Sequence, residues 1–168
     1  MAGVSLSFNP VSQVVPLAGT GTVSVEVDAA AVGLRGFSLV VQVDSTVVRP
    51  TAVQSGALLQ ALVSPCDDVV LWIDPPAPLA SSTTVSFDGA GLGCSVDGPG
   101  AIADLEFECL KDGTSPVVFT AFDLRDSLNV GIPVTSTSFA TIQCGVPISV
   151  SGESWGRVKA RYNDAGGP

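Results

Sequence analysis

The sequence has 168 residues, of which 46% are hydrophobic and 14% charged, and this composition is typical of one globular domain with its own core. Seven Lys and Arg stand against sixteen Asp and Glu, a net charge of −9, and such an acidic surface repels the phosphates of nucleic acids. Histidine is absent, which removes the usual general base at neutral pH and the commonest metal ligand. We therefore predict no catalytic residue and no metal-binding residue, and we expect a protein that is not an enzyme.

Short runs rich in β-branched residues follow one another along the chain, and clusters of Gly, Pro, Asp and Ser separate them. This spacing predicts an all-β fold, an antiparallel β-sandwich of about nine strands. The segment GALLQALV, Gly56–Val63, allows one helical turn, but we expect it to form a loop that caps one end of the core. The predicted strands are Val4–Phe8, Gly21–Val27, Gly36–Val43, Thr51–Gln54, Val69–Asp74, Thr83–Asp88, Ile102–Cys109, Val117–Phe122 and Ser136–Gln143.

The third predicted strand, in GLRGFSLVVQVDSTVVRP, alternates clearly between two kinds of side chain. Phe37, Leu39, Val41 and Val43 form one row, which is the pattern of a strand that packs one face on a core. Ser38, Val40 and Gln42 form the other row, which carries no charge. An uncharged outer row tolerates burial better than a charged one, so we predict these three residues as a partner-binding sheet face. A plain solvated face explains the same row equally well.

Four cysteines are present, Cys66, Cys94, Cys109 and Cys144, and no two are spaced as CxxC. An even number in an acidic chain rich in Ser and Thr suggests disulfides and an extracellular or cell-surface location. A hairpin about the PPAP turn brings the ends of its two strands together, which predicts Cys66–Cys94 and leaves Cys109–Cys144, although four cysteines permit three connectivities. No signal peptide is visible, and no apolar run is long enough to span a bilayer, so we predict no membrane insertion.

Two longer stretches resemble cohesin domains. LRGFSLVVQVDSTVVRPTAV resembles their third-strand region, and GAIADLEFECLKDGTSPVVFTAFDLRDSLNVGIPV resembles a later segment, so that the resemblance spans roughly Val4–Gln143. It implies a nine-stranded sandwich of jelly-roll topology that is extracellular and non-catalytic and binds a dockerin-like module on one sheet face. Gly36 and Ser38 stand where dockerin-binding cohesins often carry a polar Asn or Asp pair, and the cysteines resemble those of cohesin-like modules from secreted bacterial proteins without a cellulosome.

The C-terminal stretch SGESWGRVKARYNDAGGP differs from the rest of the chain. We therefore divide the chain into a cohesin-like sandwich, residues 1–145, and a linker with a short helix or arm, residues 146–168. Trp155, Val158 and Tyr162 follow one another at i, i+3 and i+7, which makes one apolar stripe on a helix. This arm docks either on its own sandwich or on a neighbouring subunit, with its basic residues facing an acidic body.

Three functional hypotheses follow from these observations. The leading one is a protein–protein interaction module whose partner is a dockerin-like module or copies of itself. The second is a structural subunit of an extracellular filament, tube or surface layer joined through the arm. The third is a carbohydrate-binding module that stacks polysaccharide on Trp72, although Trp72 fits the core better. No cofactor is predicted, and calcium at the loop of Asp123, Asp126 and Asn129 is a weaker alternative to a solvated loop.

Overall fold

The chain is built almost entirely of β-strands in a computed structural model, which describes residues 3–61, 68–74 and 83–145, the segment 68–74 by its backbone alone. The first half contains β1 (Val4–Asn9), β2 (Ser12–Val15), β3 (Thr20–Val27), β4 (Leu34–Val43), β5 (Val48–Ser55), the one-turn helix α1 (Ala57–Gln60) and β6 (Asp68–Asp74). The second half contains β7 (Thr84–Leu92), β8 (Gly100–Cys109), β9 (Gly113–Asp126), β10 (Gly131–Ile132), β11 (Val134–Thr137) and β12 (Ala140–Cys144).

Two sheets pack face to face. The five-stranded sheet has the order β11-β1-β3-β8-β5, and the seven-stranded sheet has the order β2-β12-β9-β4-β7-β6, with β10 paired to β9. Strand β4 lies between β7 and β9 and pairs antiparallel with both. The predicted all-β sandwich is confirmed.

The core lies between the sheets and is filled by the inner rows of the strands. Phe37, Leu39, Val41 and Val43 are all buried, as the alternation in β4 predicts. Phe8 of the five-stranded sheet stacks on Phe119 of the seven-stranded sheet, with ring centroids 4.2 Å apart. This ring pair fixes one sheet against the other, because stacked aromatic rings have a preferred separation and orientation.

Two strand pairs are parallel, unlike the antiparallel arrangement expected from the sequence. β1 pairs with β11, and β2 pairs with β12. The chain passes from the five-stranded to the seven-stranded sheet between β1 and β2, and again between β11 and β12. The first and last strands of the sandwich therefore lie side by side in each sheet. The single strand predicted over Ser136–Gln143 is therefore wrong: it breaks at Ser138, whose N–H donates to Leu6 O (3.0 Å) and whose Oγ accepts from Phe8 N (3.3 Å).

The capping loop expected over Gly56–Val63 is also wrong for Ala57–Gln60, which form the helical turn α1. The backbone N–H of Gln60 donates to Gly56 O (3.0 Å) and closes this turn. Ala, Leu and Gln all favour helix, and Leu59 on the turn is fully buried. The turn therefore places one leucine at the end of the core, which is the capping role that the sequence predicts.

The disulfide Cys109–Cys144 joins the two sheets at one end of the sandwich. Its cysteines end β8 of the five-stranded sheet and β12 of the seven-stranded sheet, with Cα atoms 5.5 Å apart. Both are buried in the core. The predicted Cys109–Cys144 pairing is confirmed, whereas Cys66 lies outside the described residues, so the Cys66–Cys94 pairing stays a prediction.

The acidic turn after β4 carries the chain from the seven-stranded sheet into the five-stranded one. The Oδ1 atom of Asp44 accepts from Thr46 Oγ1 (2.7 Å) and Thr46 N (2.9 Å). These two hydrogen bonds lower the pKa of Asp44 from its ordinary value of 3.8. The backbone N–H of Asp44 donates to Ser115 Oγ (2.9 Å), and Ser115 is fully buried.

Replacing Ser115 tests how strongly this turn depends on one buried hydroxyl. Ser115→Ala leaves the Asp44 N–H without its acceptor, so we expect the free energy of unfolding to fall by about 1–3 kcal/mol. Thr114→Ala, at the exposed neighbouring position, serves as the control and should change it by less than about 0.5 kcal/mol. Urea denaturation measures both. Equal stability of Ser115→Ala and wild type would show that the turn does not need this hydrogen bond.

Candidate functional site

The two outer faces of the sandwich differ in charge. The outer row of β8 is acidic, and the register pairs it with hydroxyl side chains of β3. Arg49 of β5 forms an ion pair with Glu108, while Ser24 and Thr51 donate hydrogen bonds to Asp104 and Glu106. The acidic residues that this face carries in the described strands are Glu26, Asp104, Glu106 and Glu108. The charged side chains of this five-stranded face therefore lie in contact with water.

The seven-stranded sheet presents an almost uncharged outer face at its centre. Ser38 and Gln42 are exposed and Val40 is half-buried, so all three predicted binding residues point away from the core. The neighbours of Val40 across the strands are Ser86 and Ala121, and those of Gln42 are Thr84 and Val118. This surface, called here the neutral face, consists of Ser38, Val40, Gln42, Thr84, Ser86, Val118 and Ala121. Covering the part around Val40 and Gln42 requires no charge to leave water, which lowers the free-energy cost of covering it. At the Ser38 end, Asp88 and Asp123 are the cross-strand neighbours.

A depression of about 590 Å³ lies at one end of the neutral face. Small residues line it from β4 and β7, with Gly36 paired to Ala90 and Ser38 paired to Asp88. Charged residues surround this floor. They include Arg35, Asp88, Asp123, Arg125 and Asp126. The depression therefore combines an apolar floor with charged walls, which is the arrangement of a binding pocket with a polar rim.

The wall of the depression is a loop held by its own hydrogen bonds. Arg125 Nε donates to Asp123 Oδ2 (2.7 Å), and Arg125 also donates to Asn129 O (3.3 Å). Asp126 Oδ1 accepts from the backbone N–H groups of Leu128 (2.9 Å) and Val130 (2.8 Å). These contacts engage one carboxylate oxygen each of Asp123 and Asp126. No group of three or more acidic or cysteine residues in the described ranges is arranged to hold a metal ion.

Leu128 is the residue at this site that sequence reasoning missed. It lies at the tip of the loop and is 80% exposed. Because Asp126 fixes the backbone on both sides of it, the leucine is presented without the freedom of an ordinary loop residue. The signal in the sequence is one large apolar residue among polar ones in RDSLN.

Glycine at position 89 lets the aromatic ring of Phe37 lie beneath the depression. Gly89 pairs with Phe37 across β7 and β4, and a Cβ atom added at Gly89 would meet the ring. Phe87 contacts the same ring edge to face, with centroids 6.1 Å apart. The Phe37 ring therefore has little room to move, and the shape of the floor depends on Gly89 having no side chain.

Several predicted residues fall outside the described part of the chain. They are Cys66 and the C-terminal arm residues Trp155, Val158 and Tyr162. Trp72 pairs with Asp88 through the backbone of β6, but its side chain is among those not described. The arm, the second disulfide and the sugar-stacking role of Trp72 stay predictions from the sequence.

The solved structures that this chain resembles are cohesin domains. A non-cellulosomal cohesin from the archaeon Archaeoglobus fulgidus matches with a TM-score of 0.67 at 13% identity, over 96% of this chain and 98% of that one. A type II cohesin from the cellulosome of Acetivibrio cellulolyticus matches with a TM-score of 0.64 at 16% identity, over 83% and 94%. This chain has a cohesin-like fold. A type I cohesin–dockerin complex from Clostridium thermocellum matches with a TM-score of 0.63 at 12% identity, over 85% and 99%.

The resemblance of two stretches of the sequence to cohesin domains implies this fold, and the structural likeness confirms it at sequence identities too low to carry function. No protein-family model and no curated protein matches the sequence.

Adding one methyl group at Gly89 tests the packing beneath the depression. Gly89→Ala should lower the free energy of unfolding by about 1–3 kcal/mol, because the new Cβ atom displaces the buried Phe37 ring. Gly131→Ala is the matched control, since nothing lies within 4 Å of its added Cβ atom, and its effect should stay within about 0.5 kcal/mol. Thermal or urea unfolding compares the two. A stable Gly89→Ala variant would mean that the Phe37 ring moves aside freely.

Proposed function

We propose that this cohesin-like chain is a non-catalytic protein–protein interaction module that binds a dockerin-like partner on the neutral face. The observation that carries this proposal is the difference between the two outer faces. One face carries four carboxylates along its strands, whereas on the other Val40 and Gln42 and their cross-strand neighbours carry none, and the carboxylates Asp88 and Asp123 stand only beside Ser38 at the depression. A partner that covers the neutral face leaves the carboxylates of the five-stranded face in water.

The neutral face is also an ordered surface. Its central strand, β4, is hydrogen-bonded on both sides, by β7 and β9. A surface that is ordered before binding loses little conformational entropy when the partner arrives. Val40 lies at the middle of the row and provides the apolar contact, and Leu128 provides a second one beside the depression.

The charged rim supplies orientation. Asp88, Asp123 and Asp126 line the depression, and one arginine, Arg125, is already paired with Asp123. A partner with Lys or Arg side chains at this end of its surface would therefore be favoured. Charged pairs at a rim raise the association rate and fix the orientation more than they raise affinity.

We place this interaction outside the cell or at its surface. The Cys109–Cys144 disulfide supports this location, because disulfides persist in oxidising compartments. Among the residues that the structure describes, there is no helix of the length and apolarity needed to cross a membrane.

Self-association is the second candidate. Val11 and Phe139 are 64% and 65% exposed, and they lie where the two crossovers between the sheets run side by side. Exposed apolar residues of this size favour contact with another chain. In this alternative the protein is a structural subunit of an extracellular filament, tube or surface layer joined through its arm.

A charge introduced at Val40 tests the main proposal. The probes are purified dockerin modules, namely the dockerin of the Clostridium thermocellum complex and those encoded in the genome that encodes this chain, and surface plasmon resonance measures binding. At least one module should bind, and Val40→Arg should weaken it by at least about thirtyfold, because burying an unpaired charge costs about 2 kcal/mol or more.

Thr22→Arg is the matched control, since Thr22 is exposed at the centre of the five-stranded sheet. It should change the affinity by less than about threefold, and both variants should unfold at the same urea concentration as wild type. Loss of binding in Thr22→Arg but not in Val40→Arg would place the partner on the other face. If no module binds and the full chain forms ordered polymers, self-association replaces dockerin-like binding as the proposed function.

A further inference from the structure

An apolar patch surrounds the point where the described chain ends. The patch consists of Val14, Leu17 and Leu110, which are between 45% and 49% exposed. Each is adjacent in sequence to a residue that a hydrogen bond or the disulfide joins to the last residues of β8 or β12 or to Gly145. Gly145 N donates to Val15 O (3.0 Å), and Ala18 N donates to Cys109 O (2.9 Å). Cys109 in turn is joined to Cys144 by the disulfide, so all three apolar side chains lie near the exit of the chain.

We propose that the C-terminal arm, residues 146–168, folds back and docks on this patch of its own sandwich. The sequence supplies the matching surface, since Trp155, Val158 and Tyr162 form one apolar stripe at helical spacing. Three half-exposed apolar side chains lie beside the exit, and the sequence carries three more at helical spacing just beyond it. Burying the two surfaces against each other removes apolar area from water, which stabilises the docked state.

Charge supports the same placement. Three of the seven basic residues of the chain, Arg157, Lys159 and Arg161, lie in the arm. Asp112 lies against Gly145 at the exit, and the acidic row of β8 ends one residue before Cys109. Arg49 of β5 is already paired with Glu108 of that row, and Lys111 stands beside Asp112 in the chain. A basic arm docked at this end therefore meets carboxylates.

The length of the chain favours docking within one molecule over docking on a neighbour. Residues 146–153 precede the predicted stripe and span at most about 26 Å at roughly 3.3 Å per residue, which is more than enough to reach a patch at the exit. A short flexible linker gives the arm an effective concentration in the millimolar range. At micromolar protein concentration the arm of the same molecule therefore occupies the patch before that of another molecule does.

The docked arm would protect an exposed sheet edge. β2, which carries Val14, is the edge strand of the seven-stranded sheet. Edge strands pair readily with other chains unless something covers them. The neutral face is centred on β4 and extends to β9, and β12 separates it from β2, so an arm at this edge leaves the centre of the partner surface open. The inference does not depend on the function proposed above.

The fluorescence of Trp155 provides the test, measured as acrylamide quenching of the full chain minus that of Trp155→Phe. In wild type we expect Trp155 to be quenched at least threefold less than in the isolated peptide 146–168. This protection should hold at every protein concentration from about 1 to 100 μM, a range that lies below the effective concentration of the tethered arm. Leu17→Ser with Leu110→Ser should raise quenching at least twofold towards the peptide value.

Val32→Ser with Leu128→Ser is the matched control, because these side chains are more exposed still and lie away from the exit. It should leave Trp155 quenching unchanged. Quenching equal to that of the peptide would show a free arm and overturn the proposal. Protection that appears only as concentration rises would show an arm docked on a second copy, which also overturns it, as would equal effects of the two double variants.

Discussion

The register of β4 determines both the core and the outer surface of the seven-stranded sheet. Pairing with β7 on one side and β9 on the other places Leu39 and Val41 in the core and Ser38 and Val40 outside. Successive side chains point to opposite faces, so a shift of one residue would exchange the two rows and expose the core. The same register therefore builds the hydrophobic core and creates an outer row without charge.

The two outer faces of the molecule differ in the charge that their side chains carry. Acidic side chains on β8 keep the five-stranded face in water, while the neutral face offers a surface that can be covered at little electrostatic cost. The depression beside it adds shape, because Gly36 and Ala90 leave space between charged walls. The disulfide end is a third region, where Cys109 and Cys144 tie the sheets together and the chain leaves the sandwich. The proposed partner binding and the proposed arm docking thus concern separate surfaces.

Alternation within a strand was readable from the sequence, because burial on one face imposes a period of two residues. The rows of β4 were predicted in this way and are confirmed. The Cys109–Cys144 pairing was predicted by elimination, from the hairpin that would join Cys66 to Cys94, and is confirmed as well. Features set by contacts between distant segments were not readable. The break at Ser138 depends on hydrogen bonds to Leu6 and Phe8, more than a hundred residues away in the chain. The depression likewise forms only when three strands and a loop meet. The position of Leu128 is set by the backbone hydrogen bonds that Asp126 accepts.

Methyl NMR of the protein bound to a dockerin module reports on each outer face separately and so shows which face the partner covers. The neutral face and the adjoining depression carry the methyl groups of Val40, Ala90 and Ala121, and the outer row of the five-stranded sheet carries those of Ala52 and Ala101. Binding on the neutral face predicts chemical-shift changes at the first three methyl positions and none at the other two. Changes at Ala52 and Ala101 with Val40 and Ala121 unmoved would contradict it.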